Sequence, residues 1–349
     1  NKEALKRRAD VIAELQARQW AKGKSLAVWL TLPVAPQGLT ADGTNAVSQM
    51  LASGVDLAGV NVMTMDYGQS KKADQSMSEA SKQALIETHR QLGILYKQVG
   101  INLNSKSLWK KIGVTPMIGQ NDVRNEVFTL ADAKKFNEFA LSRGVVRMSM
   151  WSANRDLPCG ENYVDQKVVS DSCSGVKEGK MSFAQALSKG FDGKLKNSAI
   201  HTTEDPEVTP VADDPNTSPY QIWKENGAYL QGTKVVWHQN VYQAKWWTKG
   251  EMPDNPVLQS WETPWQLVGP VLKGEKPIKQ PTLPIGTYPE WIGSAEYETG
   301  TRVLFQGGPY QAKWWTQGDS PAASTANADG SPWVPLTQEQ VNEILKENQ

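Results

Sequence analysis

Two tryptophan pairs, Trp246-Trp247 and Trp314-Trp315, stand in nearly identical contexts 68 residues apart: Tyr242-Gln-Ala-Lys-Trp-Trp-Thr248 and Tyr310-Gln-Ala-Lys-Trp-Trp-Thr316. The same offset returns Tyr220, Trp223, Tyr229, Gly232, Val235, Gly250, Pro253 and Trp265 as Tyr288, Trp291, Tyr297, Gly300, Val303, Gly318, Pro321 and Trp333. From 220 to 253, 15 of 34 positions are identical without a gap. The chemistry an indole offers is non-covalent. Its flat apolar face packs on the axial C–H face of a pyranose and buries area on both sides without demanding charge. Neighbouring side chains on a strand face opposite ways, so at least one member of each pair is expected in solvent. Trp223 and Trp265, with their repeats, are expected to fill thin cores. The duplication implies a tandem binding device for carbohydrate, with protein–protein contact as the alternative.

At these residues the chain resembles the small chitin-binding modules of carbohydrate-binding family 5/12. Their pattern is a Trp, a Tyr, a Gly turn and then Tyr-x-Ala-x-Trp-Trp-Thr-x-Gly-x-x-Pro, which both copies match. The resemblance implies that Trp246, Trp247, Trp314 and Trp315 form a ring platform for chitin. Two linked copies would add avidity if both reach one surface.

A second set of chemistry-bearing residues lies in the first half, where polar side chains gather at the ends of apolar segments. These are Asp66 and Tyr67, then Gln120, Asn121 and Asp122, then Trp151, Ser152, Asn154, Arg155 and Asp156. The segments that must position them alternate strand-like runs (25–34, 57–67, 112–118, 145–151) with helical ones (2–19, 42–53, 78–98, 130–143, 182–190). Strands apolar on both faces, alternating with helices, signal a parallel α/β sheet. Active sites of (β/α)8 barrels lie at the carboxyl ends of the strands. The turn Pro33-Val-Ala-Pro-Gln-Gly38 is not a Gly-rich phosphate loop, which favours a barrel over a doubly wound sheet. Only four strand–helix units are visible, half a barrel, with apolar edges left to cover.

Val60-Asn-Val-Met-Thr-Met-Asp-Tyr-Gly68, Gly113-Val-Thr-Pro-Met-Ile-Gly-Gln-Asn-Asp122 and Met150-Trp-Ser-Ala-Asn-Arg-Asp156 resemble the last strands of bacterial glycoside hydrolase family 18 chitinases. The fold class expected is therefore α/β, a partial (β/α)8 TIM barrel comprising strands five to eight, followed by two small all-β modules. The resemblance implies retaining, substrate-assisted cleavage, in which the substrate's own acetamide attacks and no carboxylate is the nucleophile. On that mapping Asp66 and Tyr67 are the candidates for orienting the acetamide. Met63, Gln120 and Trp151 are expected to bind substrate, with Trp151 as the floor of the subsite. The family's proton-donor motif, Asp-x-x-Asp-x-Asp-x-Glu, does not occur in the sequence. Loss of a general acid costs at least about 10²–10⁴ in rate, so this chain is expected to be a fragment, inactive alone. The opening Asn1-Lys-Glu-Ala-Leu, without a Met or a signal-peptide pattern, also reads as part of something longer. A non-catalytic chitin-binding or adhesion protein is the alternative.

Domain boundaries are expected at 1–199 for the half barrel, 200–219 for a Pro-rich linker and 220–268 for the first module. A second linker covers 269–286, the second module 287–336 and a tail 337–349. The 37 basic and 37 acidic residues balance, which leaves no field for nucleic acid or an anionic membrane. Three scattered His and two Cys give no metal cluster, and no cofactor is implied. Cys159 and Cys173 are expected to form a disulfide in a secreted, extracellular protein. The partners expected are chitin and N-acetylglucosamine oligomers.

Overall fold

The computed structural model describes residues 2–161, 168–177, 179, 181–194, 201–207, 210–272, 274, 281–322 and 330–347. The chain forms two compact units, residues 1–207 with 257–260, and residues 208–256 with 261–349. The boundary expected at 199–200 and much of the Pro-rich connector (276–280) lie outside the described residues.

The first unit runs α1 (Lys2–Trp20), β1 (Val28–Ala35), β2 (Gly38–Leu39), α2 (Ala41–Ala52), β3 (Leu57–Thr64), α3 (Met77–Gln98) and α4 (Ser105–Trp109). It continues with β4 (Ile112–Pro116), β5 (Gly119–Gln120), β6 (Val127–Phe128), α5 (Leu130–Arg143), β7 (Arg147–Met148) and α6 (Phe183–Ser188). The helix starts are written in the sequence. Ser76 with Glu79, Thr129 with Asp132 and Ser182 with Gln185 form capping boxes that satisfy free amides of the first turn. Gly144 ends α5 in the left-handed conformation, φ 82°, where glycine has no Cβ to clash.

The main sheet has the order β2-β1-β3-β4-β7. The four long-range neighbours β1, β3, β4 and β7 are parallel and lie side by side in chain order, with none of the reversal of a doubly wound sheet. One face carries Val60, Val62, Ile112 and Val114 into the cluster built with α2, α3 and α5. The opposite face is polar and open rather than apolar. Trp29, Thr31, Asn61, Met63, Gly113, Thr115 and Arg147 share it by register, and the Asn61 amide donates to Thr115 Oγ1 at 2.8 Å. The Trp29 ring covers Gly59 so closely that a Cβ there would lie 2.4 Å from it. The last strand is less regular than the apolar run 145–151 suggested. Its regular ladder spans Arg147–Met148, but bonds to β4 continue beyond it: the Ser149 and Trp151 amides donate to Val114 O and Pro116 O, both at 2.8 Å, and Trp151 bridges Met117.

The start of the expected linker is bound to this unit. Thr202 donates through its amide and hydroxyl to the Asp56 carboxylate, and the Asp205 amide donates to Asn102 O at 2.8 Å. Beneath it, buried Lys111 donates to Leu57 O at 2.8 Å and Thr202 Oγ1 at 2.7 Å. Burial pulls the Lys111 ammonium from 10.5 down to about 8, against the opposing pull of Asp56. Between those values the folded chain binds fewer protons than the unfolded chain, so stability rises with pH, by about 3 kcal/mol over the whole window. Denaturant titrations from about pH 7.5 to 11 should show that rise, and Lys111→Met should flatten it. A flat profile for the unaltered chain would contradict the assignment.

The second unit holds two antiparallel modules. The first contains β8 (Ala228–Tyr229), β9 (Lys234–Trp237), β10 (Asn240–Ala244), β11 (Thr248–Lys249) and β12 (Trp265–Pro270). Its sheets are β12-β10-β9 and β11-β8, around Trp223, Tyr229, Val235, Tyr242, Ala244 and Trp265. The second contains β13 (Glu296–Tyr297), β14 (Arg302–Phe305), β15 (Gly308–Ala312), β16 (Thr316–Gln317) and β17 (Trp333–Pro335). Its core is Tyr297, Val303, Tyr310, Ala312 and Trp333, with Trp291 packed against it. Residues 337–349, expected as a tail, instead form α7 (Gln338–Glu347). Val341 and Ile344 of this helix are buried with Leu304, Leu336 and Leu283. The second connector therefore also contributes to a core.

Candidate functional site

The aromatic site is built the same way in both modules. In the first, the Lys245 amide donates to Pro264 O at 2.7 Å, and the Gly232 amide donates to Ala244 O at 2.7 Å. The Trp265 indole N–H donates to Glu251 O at 2.8 Å, and the Thr248 hydroxyl donates to the Glu251 carboxylate at 2.7 Å. In the second, Lys313 meets Pro332 at 2.7 Å and Gly300 meets Ala312 at 2.7 Å. Trp333 meets Asp319 O at 2.8 Å and Thr316 meets the Asp319 carboxylate at 2.6 Å. These bonds fix a bend between β10 and β11, and between β15 and β16, and the Trp pair sits on that bend. Both members are consequently outside: Trp246 and Trp247 are 44% and 56% exposed, Trp314 and Trp315 44% and 51%. The strand alternation expected from sequence does not apply, because the pair occupies the bend rather than a strand. Lys245 lies 4.7 Å above the Trp246 ring and Lys313 lies 4.5 Å above the Trp314 ring, which adds a cation–π contact to each pair.

In the first unit the expected residues separate into two groups. Met63 lies on the open sheet face, and Trp151, 54% exposed, extends that face beyond β7 through its bridge to Met117. Asp66 occupies the turn after β3 with φ 51°, a conformation that costs on the order of 1–3 kcal/mol and persists only where surroundings impose it. They do so here. The Asp66 amide donates to Asn121 Oδ1 at 3.3 Å, while its carboxylate accepts from the amides of Asp122, 2.8 Å, and Val123, 3.4 Å. Partial burial holds the Asp66 carboxyl above the usual carboxylate range despite those amides.

Tyr67 and Gln120 turn away. Tyr67 is buried, with its hydroxyl 2.9 Å from Ser81 Oγ on α3, and burial pushes its phenol up. Of the adjacent pair, only Asp66 is open to contact from outside. Gln120 is also buried, and its amide donates to the carbonyls of Asn121, 2.9 Å, and Arg124, 3.0 Å. It holds its own loop together instead of facing a cleft. Asp156 accepts from the amides of Phe183 and Ala184 at 2.7 and 2.9 Å, so it caps α6. Arg155, wholly buried, donates to Ser170 O at 2.7 Å.

Sequence reasoning missed Glu126. This buried carboxylate accepts from the amides of Tyr67 and Gly68, both at 2.8 Å, and so ties the β5–β6 hairpin to the turn that carries Asp66. Its signal was weak: one of two acids in the mostly polar stretch Asn121-Asp-Val-Arg-Asn-Glu126. Cys159 and Cys173 are joined in a disulfide with Cα atoms 5.0 Å apart. It closes a loop of 14 residues' separation, worth about 3 kcal/mol on the loop-entropy estimate. Reduction, or Cys159→Ser, should lower stability by that amount in denaturant titrations run with and without reductant. Among the described residues no group of three or more His, Cys, Asp or Glu is placed to hold a metal, and no helix is long and apolar enough to cross a membrane.

Residues 290–334 match the family model for carbohydrate-binding module family 5/12. Over 165 residues the chain is 38% identical to the probable bifunctional chitinase/lysozyme of Escherichia coli, covering 46% of this chain and 18% of that protein. Over 161 residues it is 37% identical to endochitinase 11 of Metarhizium anisopliae, covering 44% of this chain and 30% of that protein. A weaker likeness, 29% over 148 residues, joins it to endoglucanase A of Evansella cellulosilytica, covering 34% of this chain and 27% of that protein. The chain thus matches less than a third of the length of these curated relatives. Among solved structures, active domain 2 of chitinase from Pyrococcus furiosus aligns at 30% identity and a TM-score of 0.43, covering 52% of this chain and 56% of that one. The chain is therefore similar to chitinases over part of its length and carries a region similar to family 5/12 carbohydrate-binding modules.

Proposed function

We propose that this chain is the chitin-binding part of a secreted chitinase, with two family 5/12-type modules following the last four strands of a (β/α)8 barrel. The observation that carries the reading is the repeated bend that sets Trp246-Trp247 and Trp314-Trp315 in solvent with the same supporting bonds. Paired exposed indoles on a fixed frame suit the C–H face of a pyranose polymer, and the curated relatives named chitinase indicate which polymer. N-acetylglucosamine oligomers are the soluble form of that ligand. A disulfide in the first unit fits an extracellular setting.

In the barrel part, the reading gives Asp66 the task of orienting the substrate acetamide and Trp151 that of flooring the sugar, with Met63 alongside. Asp66, partly exposed at the end of β3, is placed where a carboxyl could orient the acetamide that substrate-assisted cleavage uses. Because Asp-x-x-Asp-x-Asp-x-Glu is nowhere in the sequence, the chain binds but does not cleave alone. A non-catalytic chitin-binding or adhesion protein predicts the same binding, and differs in having no acidic motif elsewhere in its gene. The direct test is sedimentation of the full chain with insoluble chitin and with cellulose. Retention on chitin above cellulose supports the reading, and equal recovery in the supernatant from both would end it. Turnover of chito-oligosaccharides by the purified chain would overturn the claim that it cannot cleave alone.

A further inference from the structure

We propose that Trp261 supplies a third sugar-stacking ring to the first module, so that the two modules are unequal readers of one polymer. The inference rests on the Trp pairs being a saccharide platform. Its starting point is the frame that fixes the bend. Ala244 pairs with Trp265 in the β10–β12 ladder, and the Lys245 amide donates to Pro264 O at 2.7 Å. Beyond that contact the chain leaves on one side as Trp246-Trp247 and arrives on the other through Trp261-Glu262-Thr263. The two aromatic stretches therefore depart from one pinned point of the module.

The arriving stretch is held at its base. Thr263, Pro264 and Trp265 are buried, and the Trp265 indole is bonded to Glu251 O at 2.8 Å. Trp261 stands free of that base on the helical turn Ser260–Glu262. It is 60% exposed, more than either member of the pair. An indole this exposed contributes nothing to the core of its module, whose members are Trp223, Tyr229, Val235, Tyr242, Ala244 and Trp265. Large exposed rings on the two stretches that leave one pinned point suit the kind of apolar patch that marks a binding surface.

The second module repeats the frame and lacks the ring. The position 68 residues on from Trp261 is Asp329, a carboxylate with no face to offer a sugar. The third ring therefore lengthens the apolar track of the first module alone. A chain of β-1,4-linked N-acetylglucosamine presents ring faces in succession, so a longer track engages more of them. The first module should bind more tightly and favour longer oligomers.

The test uses the full chain with the second module silenced by Trp314→Ala and Trp315→Ala. In that background, Trp261→Ala is expected to weaken binding of chitohexaose about five- to tenfold, read by titration calorimetry. Trp261→Phe should recover part of the loss, and the thermal unfolding midpoint should stay put because the ring lies outside the core. The proposal is overturned if Trp261→Ala binds chitohexaose as tightly as its parent background does. The platform reading fails in a different way: chitin retention would survive alanine at Trp246, Trp247, Trp314 and Trp315 together.

Discussion

Alanine at Trp246, Trp247, Trp314 and Trp315 together is expected to abolish retention of the chain on chitin beads, while the unfolding transition of the second unit stays in place. The two halves of that expectation have separate physical grounds. All four rings lie outside the module cores, so removing them opens no cavity. What is lost is the apolar face that a sugar ring would cover, and with it the cation–π contacts from Lys245 and Lys313. Removing one pair alone should convert bivalent into monovalent attachment, a drop on the order of 10²-fold or more where both modules reach the same surface. Removing both pairs should leave binding below detection in a bead assay. Undiminished retention of the fourfold variant would show that the polymer is bound elsewhere.

The second large effect is expected far from any surface contact. Glu126→Ala should destabilise the first unit by about 2–4 kcal/mol, since it strands the buried Tyr67 amide and takes the acceptor from the part-buried Gly68 amide. It should also release the turn that holds Asp66 in its left-handed conformation. Glu126→Gln keeps one acceptor but aims an NH₂ group at a backbone donor, so it should fall between the two. Equilibrium denaturation measures the first effect. Hydrogen exchange at the Tyr67 and Gly68 amides measures the second, and protection that persists in Glu126→Ala would refute the role assigned to the carboxylate.

The helices of the first unit were legible because their signals are local. Helical apolar patterning alone placed α2, α3 and α5 within a residue or two. The strands were legible as apolar runs but not in regularity. Val145 to Trp151 reads as one strand, and the Val146, Ser149 and Trp151 amides do bond to β4, but at the sheet edge only Arg147–Met148 forms regular ladder. Side-chain direction was the least visible. Whether Asp66 or Tyr67 faces outward is decided by Ser81 on α3 and Glu126 on the next hairpin, residues 14 and 59 positions away from Tyr67. The Trp pair was recognisable from its repetition, but its full exposure depends on a bend set by the Lys245–Pro264 and Lys313–Pro332 bonds. Helix α7 was missed because three apolar residues in ten, Val341, Ile344 and Leu345, look too few for a helix with a core to join.

That last helix changes how the protein should be handled. With Val341 and Ile344 buried it is a piece of the second module rather than slack chain. Trimming the chain back to Trp333, the last position of the repeat pattern, would remove Leu336 together with Val341 and Ile344 and lay bare Leu283 and Leu304. A preparation shortened for crystallisation would then present a sticky apolar face of its own, and self-association through that face would pass for polymer binding in any sedimentation assay.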